Sequence, residues 1–423
     1  MAATNRARRL LIVTAWYPPE HAPFGQMMRE LAVHLASRGF TVDIITSVPN
    51  HPGGFAFDGW RNRLLQEESD GPHLRVLRIG ILPRLGGAIG TKRTVLSRAL
   101  GFLWFTVASF FVALRGARPD AVFAVLQPLS MGPLMILLAR LKKCAVIFSV
   151  QDLHPDALVA LGLVHSPWLI ALLRCVERLA YRKADALAVI SEGFRAHCIA
   201  RGADRARIEV IPNWIDLDEI VPRQESRFRE RLGLSAVDFV VLYAGTVGLV
   251  SGARVVLDAA DLLRQSSVHF AFVGDGPLVP ELRAESQERG LRNVHFLPFQ
   301  PRELLSDVQS LGDVSIVTLK SGHGTTSIPS KVLGYFAAGR AVIASVDSGC
   351  ETARLVREAG AGVVVPPEDG HALAEAVLAL REDRDASLRM GAAGRNYLES
   401  TLSKDSILGR YEIFLRQFGK GAR

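Results

Sequence analysis

The chain has 423 residues, 49% of them apolar and 22% charged, with a net charge of +8. At roughly 100–200 residues per domain this length implies two or three domains, and the composition excludes a disordered or fibrous chain. A pI near 9.6 suits a nucleotide, a nucleic acid or an anionic lipid surface. No zinc-finger spacing, RNP-like aromatic motif or Lys/Arg block with interleaved aromatics supports a nucleic acid.

The N-terminus, Met1 to Glu20, is basic and then briefly apolar. Its charge fits a signal peptide, but the apolar run is short and leads into Tyr17-Pro-Pro-Glu20, so a buried strand is expected over Leu10–Ala15. A loop containing Gly25 follows. Met27, Met28, Leu31, Ala32 and Leu35 then recur at helical spacing, Gly39 stops that helix, and Thr41–Ser47 reads as the next strand. Strand, loop, helix and strand in this order imply a parallel sheet with right-handed crossovers.

Ala99–Leu114 is uncharged and bracketed by Arg98 and Arg115. Sixteen helical residues rise only about 24 Å, less than the ~30 Å of a bilayer core. Two readings fit: a helix lying on a membrane surface with basic flanks on anionic lipid, or a core helix under the first sheet.

Strands are expected at Ala121–Leu126, Ala145–Val150, Ala186–Ile190 and Ile208–Ile211, with helices between. The polar stretch Asp218–Arg231 suggests a domain boundary near residue 217. A second alternating set follows, with strands at Phe239–Ala244, His269–Val273, Val294–Leu297, Val314–Thr318, Ala341–Ser345 and Gly362–Val365. Helices are expected at Val255–Arg264 and Pro280–Arg289. Both halves therefore read as doubly wound α/β domains, whose ligands sit at the carboxyl ends of strands. The four cysteines are far apart and lack metal or disulfide spacing, which points to a reducing cytoplasm.

Candidate site residues fall at those strand ends. Gly322 to Ser345 reads as a polar loop, an apolar helix, Gly-Arg and a strand. Backbone N–H groups and Lys331 at the helix start suit an anion such as a diphosphate, although an ordinary loop–helix–strand unit with a Ser cap fits as well. Gln151 and Asp152, with His154 and Asp156, follow a strand end, where turn chemistry and a helix cap are the alternative. Gly245, Thr246 and Gly248 follow another strand, and Gly274 and Gly276 a third. A lone Gly-x-Gly is a weak signal, and the full dinucleotide pattern is absent. Asp216/Asp218 and Asp383/Asp385 read as solvated, so no metal site is expected. The chain has no His-Glu-x-x-His, nucleophile elbow or Walker loop.

A set of motifs in order carries a resemblance: Trp16-Tyr-Pro-Pro-Glu20, Val150-Gln-Asp-Leu-His-Pro-Asp156, Val189-Ile-Ser-Glu-Gly-Phe194, Val210-Ile-Pro-Asn-Trp-Ile-Asp216, Phe272-Val-Gly-Asp-Gly276, Leu297-Pro-Phe-Gln-Pro-Arg302, Ile328-Pro-Ser-Lys331 and Ala337-Ala-Gly-Arg340. With these the chain resembles the family-4 retaining glycosyltransferases of the GT-B fold. Within that family it is similar to the bacterial branch that builds capsule, O-antigen and exopolysaccharide on a lipid carrier. The resemblance implies two Rossmann-like domains facing across a cleft: residues 1–216 on the acceptor side, residues 217–404 binding the nucleotide sugar, and a last helix in 405–423 crossing back. It implies a UDP- or GDP-sugar donor, a polyprenyl-diphosphate-linked saccharide acceptor and no metal or other cofactor. It also implies a peripheral position on the inner face of the plasma membrane.

Carried over by position, Gly25 would lie near the diphosphate. Gln151 and Asp152 take the place of a His-Asp pair near the donor sugar. Ser327, Ile328, Pro329 and Ser330 would form the phosphate loop, Lys331 would add the charge, and Phe299 would border the base. The family's paired glutamates fall at Thr326 and Gly334. Its usual Arg and Lys after the second domain's first strand fall near Thr246 and Ser251. Lys320, Arg254 or Arg302 could supply the missing charge. These departures leave two other functions open: a non-catalytic GT-B partner of another transferase, and a nucleotide-sugar epimerase.

Overall fold

The structure is a computed structural model that describes residues 8–20, 23–50, 55–82, 92–235, 237–324 and 329–418. The chain divides into two units, Met1–Pro212 with Asp405–Arg423, and Asn213–Lys404. The division falls a few residues before the polar stretch that suggested it. The reason is that Trp214 is buried, Ile215 packs near Gly334, and Asp216 is bonded by Lys404, so this segment belongs to the second unit's packing.

The first unit holds β1 (Arg8–Val13), β2 (Phe40–Ser47), β3 (Leu65–Ser69), β4 (Leu74–Ile79), β5 (Ala121–Val125), β6 (Ala145–Val150), β7 (Ala186–Val189) and β8 (Ile208–Val210). They form one sheet in the order β3-β4-β2-β1-β5-β6-β7-β8. All neighbours pair in parallel except β3, which runs antiparallel to β4. β5 is buried at every residue, as a parallel strand covered on both faces must be. β3 and β4 are absent from the sequence reading, β4 because Arg75 and Arg78 interrupt its apolar residues. Leu65-Gln-Glu-Glu-Ser69 is a polar edge strand whose exposure alternates, so it carries no apolar run.

The second unit holds β9 (Phe239–Ala244), β10 (Val268–Val273), β11 (Val294–Leu297), β12 (Val314–Thr318), β13 (Ala341–Ser345) and β14 (Gly362–Val365). These pair all in parallel, in the order β11-β10-β9-β12-β13-β14. Every strand therefore delivers its following loop to the same edge of the sheet.

The chain's last helix, Lys404–Arg416, serves the first unit. Tyr411 is buried and meets Phe123 of β5 edge-to-face at 5.9 Å. His34 Nε2 lies 3.2 Å from Glu412, and Arg416 donates to the Arg38 carbonyl, so the helix Pro23–Ser37 is held alongside. Tyr411→Ala is expected to destabilise the first unit by about 3–5 kcal/mol, the cost of an emptied aromatic site. Chemical denaturation followed by hydrogen exchange would show the loss confined to that sheet.

Candidate functional site

At the carboxyl edge of the second sheet, two loops meet backbone to backbone. The Val247 N–H donates to the Asp275 carbonyl at 2.9 Å, and Gly245 N to the Val273 carbonyl at 2.8 Å. A Cβ on Gly274 would sit 2.2 Å from the Gly245 carbonyl oxygen, and one on Gly276 2.4 Å from that of Val247. Both glycines also have positive φ, 149° and 155°. Gly-Asp-Gly at 274–276 is thus required by chain packing, which the short motif alone could not reveal.

Lys331 opens the helix Lys331–Ala337 and reaches back onto this platform. Its ammonium lies 3.7 Å from the centroid of the Tyr243 ring and donates to the Thr246 carbonyl at 3.3 Å. One turn on, the Tyr335 hydroxyl accepts from Ala244 N at 2.9 Å and donates to the Ala244 carbonyl at 3.3 Å. The i, i+4 pair Lys331 and Tyr335 therefore fixes the helix to the end of β9. Burial lowers the Lys331 pKa to about 7. Among the described residues it has no carboxylate partner, only a carbonyl and an aromatic face.

The other expected donor-side residues are less alike. Phe299 is exposed in the loop after β11. Pro329 and Ser330 precede the helix, and the Ser330 side chain makes no cap hydrogen bond. Gly334 is buried, and a Cβ there would meet the Gln309 amide nitrogen at 3.2 Å. Thr326, Ser327 and Ile328 lie outside the described residues. Of the three candidate replacement cations, Arg254 is paired with Glu285 and Arg302 with both oxygens of Glu219. Lys320 has no such pair among the described residues. It is exposed at the end of β12, its N–H bonded to Val250 in the β9 loop at 3.0 Å.

In the first unit, Gly25 is in the first turns of the helix Pro23–Ser37 rather than in a loop. Pro at the helix start is pre-organised for it, and a Cβ on Gly25 would press to 3.2 Å on the Trp16–Tyr17 backbone. Gln151 Nε2 donates to Ser149 Oγ at 3.0 Å just past β6, and Asp152 beside it is half-buried. Burial lowers the His154 pKa to about 4, so the ring is neutral. Asp156 is structural: burial raises its pKa, but hydrogen bonds from Arg201 at 2.7 Å and Arg174 at 3.2 Å outweigh this and hold it low.

The acid pairs are turn and cap chemistry, since Asp216 accepts from Asp218 N and Asp383 from Ala386 N. Among the described residues, no three His, Cys, Asp or Glu side chains are placed to hold a metal ion. Tyr243, Tyr335 and Gln309 were missed by sequence reasoning; only the i, i+4 spacing from Lys331 to Tyr335 hinted at one of them.

Gly274→Ala should destabilise the second unit by roughly 1–3 kcal/mol, because neither loop backbone can yield without breaking the pair. Thermal melting would register the loss, and an unchanged midpoint would contradict the close approach.

Residues 24–214 match the glycosyl transferase 4-like domain, and residues 238–383 match glycosyl transferases group 1. The chain is 28% identical to the putative colanic acid biosynthesis glycosyl transferase WcaI of Escherichia coli (strain K12), over 95% of this chain and 98% of that one. Among solved structures it is similar to sucrose-phosphate synthase from Thermosynechococcus elongatus, with a TM-score of 0.74 at 20% identity over 97% and 98% of the two chains. It is similar too to HepE of Anabaena in complex with UDP-glucose, with a TM-score of 0.69 at 15% identity over 97% and 99%. Two Rossmann-like parallel sheets with GT-B neighbours, and family matches along most of the chain, make this protein a family-4-type glycosyltransferase of the GT-B fold.

Proposed function

We propose that this glycosyltransferase moves a sugar from a UDP- or GDP-sugar to a polyprenyl-diphosphate-linked saccharide, with retention at the anomeric carbon, in the assembly of a cell-surface polysaccharide. The observation that carries the reading is the Lys331 ammonium, partly desolvated over Tyr243 at the carboxyl edge of an all-parallel sheet, with no carboxylate against it among the described residues. A partly desolvated cation without a counter-charge is costly, and an anion arriving beside it offsets that cost. The matching group 1 domain and the name of the Escherichia coli relative support the reaction class and the polysaccharide product.

In this proposal the diphosphate lies against Lys331 and the backbone that leads into its helix, with no metal. Negative charge develops on the leaving diphosphate as the glycosidic bond breaks, and Lys331 stabilises it. The leaving oxygen takes the acceptor hydroxyl's proton, so the protein's task is mainly to hold donor and acceptor in register. Gln151 and Asp152 position the reactants on the first unit. The enzyme works in the cytoplasm, peripherally on the inner face of the plasma membrane, where a polyprenyl carrier is accessible.

UDP or GDP, and not NAD, should raise the melting temperature; saturation at ~100 times the dissociation constant adds about 2.7 kcal/mol. Lys331→Ala should lose most of that shift and at least tenfold in turnover. Wild-type turnover in this variant would remove Lys331 from the mechanism.

The Lys331 pKa gives a second, independent outcome. It falls from 10.5 to about 7 on folding, so between those values the unfolded chain holds a proton that the folded chain lacks. Stability from this group therefore rises with pH across that window. A bound diphosphate restores the charge, so nucleotide binding near pH 8 should take up most of a proton, and near pH 6 almost none. Calorimetry in buffers of different ionisation enthalpy would measure this, and Lys331→Met should abolish it.

A further inference from the structure

The helix Lys92–Arg115 buries Phe105, Phe110 and Ala113 yet is apolar on its outer side too. Its small polar residues Ser97, Thr106 and Ser109 face inward, and Thr106 Oγ1 lies 3.0 Å from Ser130 Oγ. Its Leu100, Leu103 and Phe111 face outward, about half exposed. Ser97–Arg115 is the stretch of the described chain apolar and long enough to cross a membrane, yet only a third of it is buried. A helix apolar on all sides is normally covered on all sides. It cannot cross a bilayer here, because it packs along the sheet against β2 and β4.

Two further helices continue its outer face. The connections β4 to β5, β5 to β6 and β6 to β7 advance in one direction across the sheet, so right-handed crossovers place their helices on one side. Met131–Lys142 packs against both Lys92–Arg115 and Pro167–Lys183. It exposes Leu137 and Leu141, and the third helix exposes Trp168 at 70%.

The charge of this layer has one sign. The helices Lys92–Arg115 and Met131–Lys142 carry six Lys and Arg and no acid. The helix Pro167–Lys183 adds one acid, Glu177, which is fully buried against His197. Exposed Arg98, Arg115, Arg140, Lys143, Arg178 and Lys183 surround the apolar side chains.

We infer that these three helices form one docking face that lies flat in the interface of an anionic lipid bilayer. The inference rests on the peripheral-membrane reading above and names its surface. Apolar side chains enter the headgroup boundary, the flanking bases meet lipid phosphates, and Trp168 takes the amphipathic position that indole favours. A two-fold dimer through the same face is disfavoured, because an isologous interface would set these bases against their own copies.

The test is sedimentation of the full-length protein with phosphatidylcholine vesicles and with vesicles that also contain phosphatidylglycerol, at low and high salt. Binding should require phosphatidylglycerol, weaken with salt, and fall at least tenfold in Trp168→Ala/Leu103→Ser. The doubly exposed variant Arg140→Glu/Arg178→Glu, which disturbs no packing, should lose it as well. Both variants should keep the wild-type melting shift with nucleotide. Unchanged vesicle binding in both, no binding by the wild type, or a concentration-dependent dimer that the same substitutions abolish would overturn the docking face. None of these results touches the donor site. Loss of the nucleotide shift with vesicle binding intact would sink the transferase reading alone.

Discussion

The site in the second unit depends on one contact, the backbone-on-backbone approach of the loops after β9 and β10. Because Gly274 and Gly276 carry no Cβ, residues 245–247 lie directly on residues 274–276. That contact holds the β9 loop down at the sheet edge, where Tyr335 also grips its first residue. With the loop fixed, the Thr246 carbonyl and the Tyr243 ring stand where Lys331 can reach both. The same packing partly desolvates the ammonium and lowers its pKa. Close packing of two loops thus becomes an electrostatic property of a side chain on a third.

How much of this was legible in the sequence follows from the physics of each part. The strands of the second unit were readable because parallel strands are buried on both faces, so Phe239–Ala244 or Val314–Thr318 appears as an unbroken apolar run. The edge strand β3 was not, since a half-exposed strand such as Leu65–Ser69 shares its pattern with a loop. Gly25 reads as loop because Pro18, Pro19, Pro23 and the glycine itself share a turn-like composition, although a proline also suits a helix start. The cations could not be ranked from sequence: Arg302 is neutralised by Glu219, 83 residues away, and Arg254 by Glu285, 31 away. Such ion pairs exist only once the fold brings the partners together. Lys331 itself was legible as a charge near a helix start, but its desolvation was not, because Tyr243 and Thr246 meet it only across the sheet edge.

The distribution of charge bears on how the two units differ. The stretch from 71 to 151 more than accounts for the chain's basic character, so the rest of the molecule, second unit included, has no large positive field. In the proposed mechanism the donor site therefore relies on a single desolvated cation, whose interaction is strong because the local dielectric is low. The three-helix face relies on many solvated cations, each weak and each screened by salt over about 8–10 Å. Those two designs respond to opposite variables. Raising ionic strength weakens the surface long before it weakens Lys331, whereas raising pH through 7 removes the charge of Lys331 and leaves the arginines of the surface untouched. A diphosphate binds the first kind of site with positional definition, and a fluid array of lipid headgroups needs only the second kind of field.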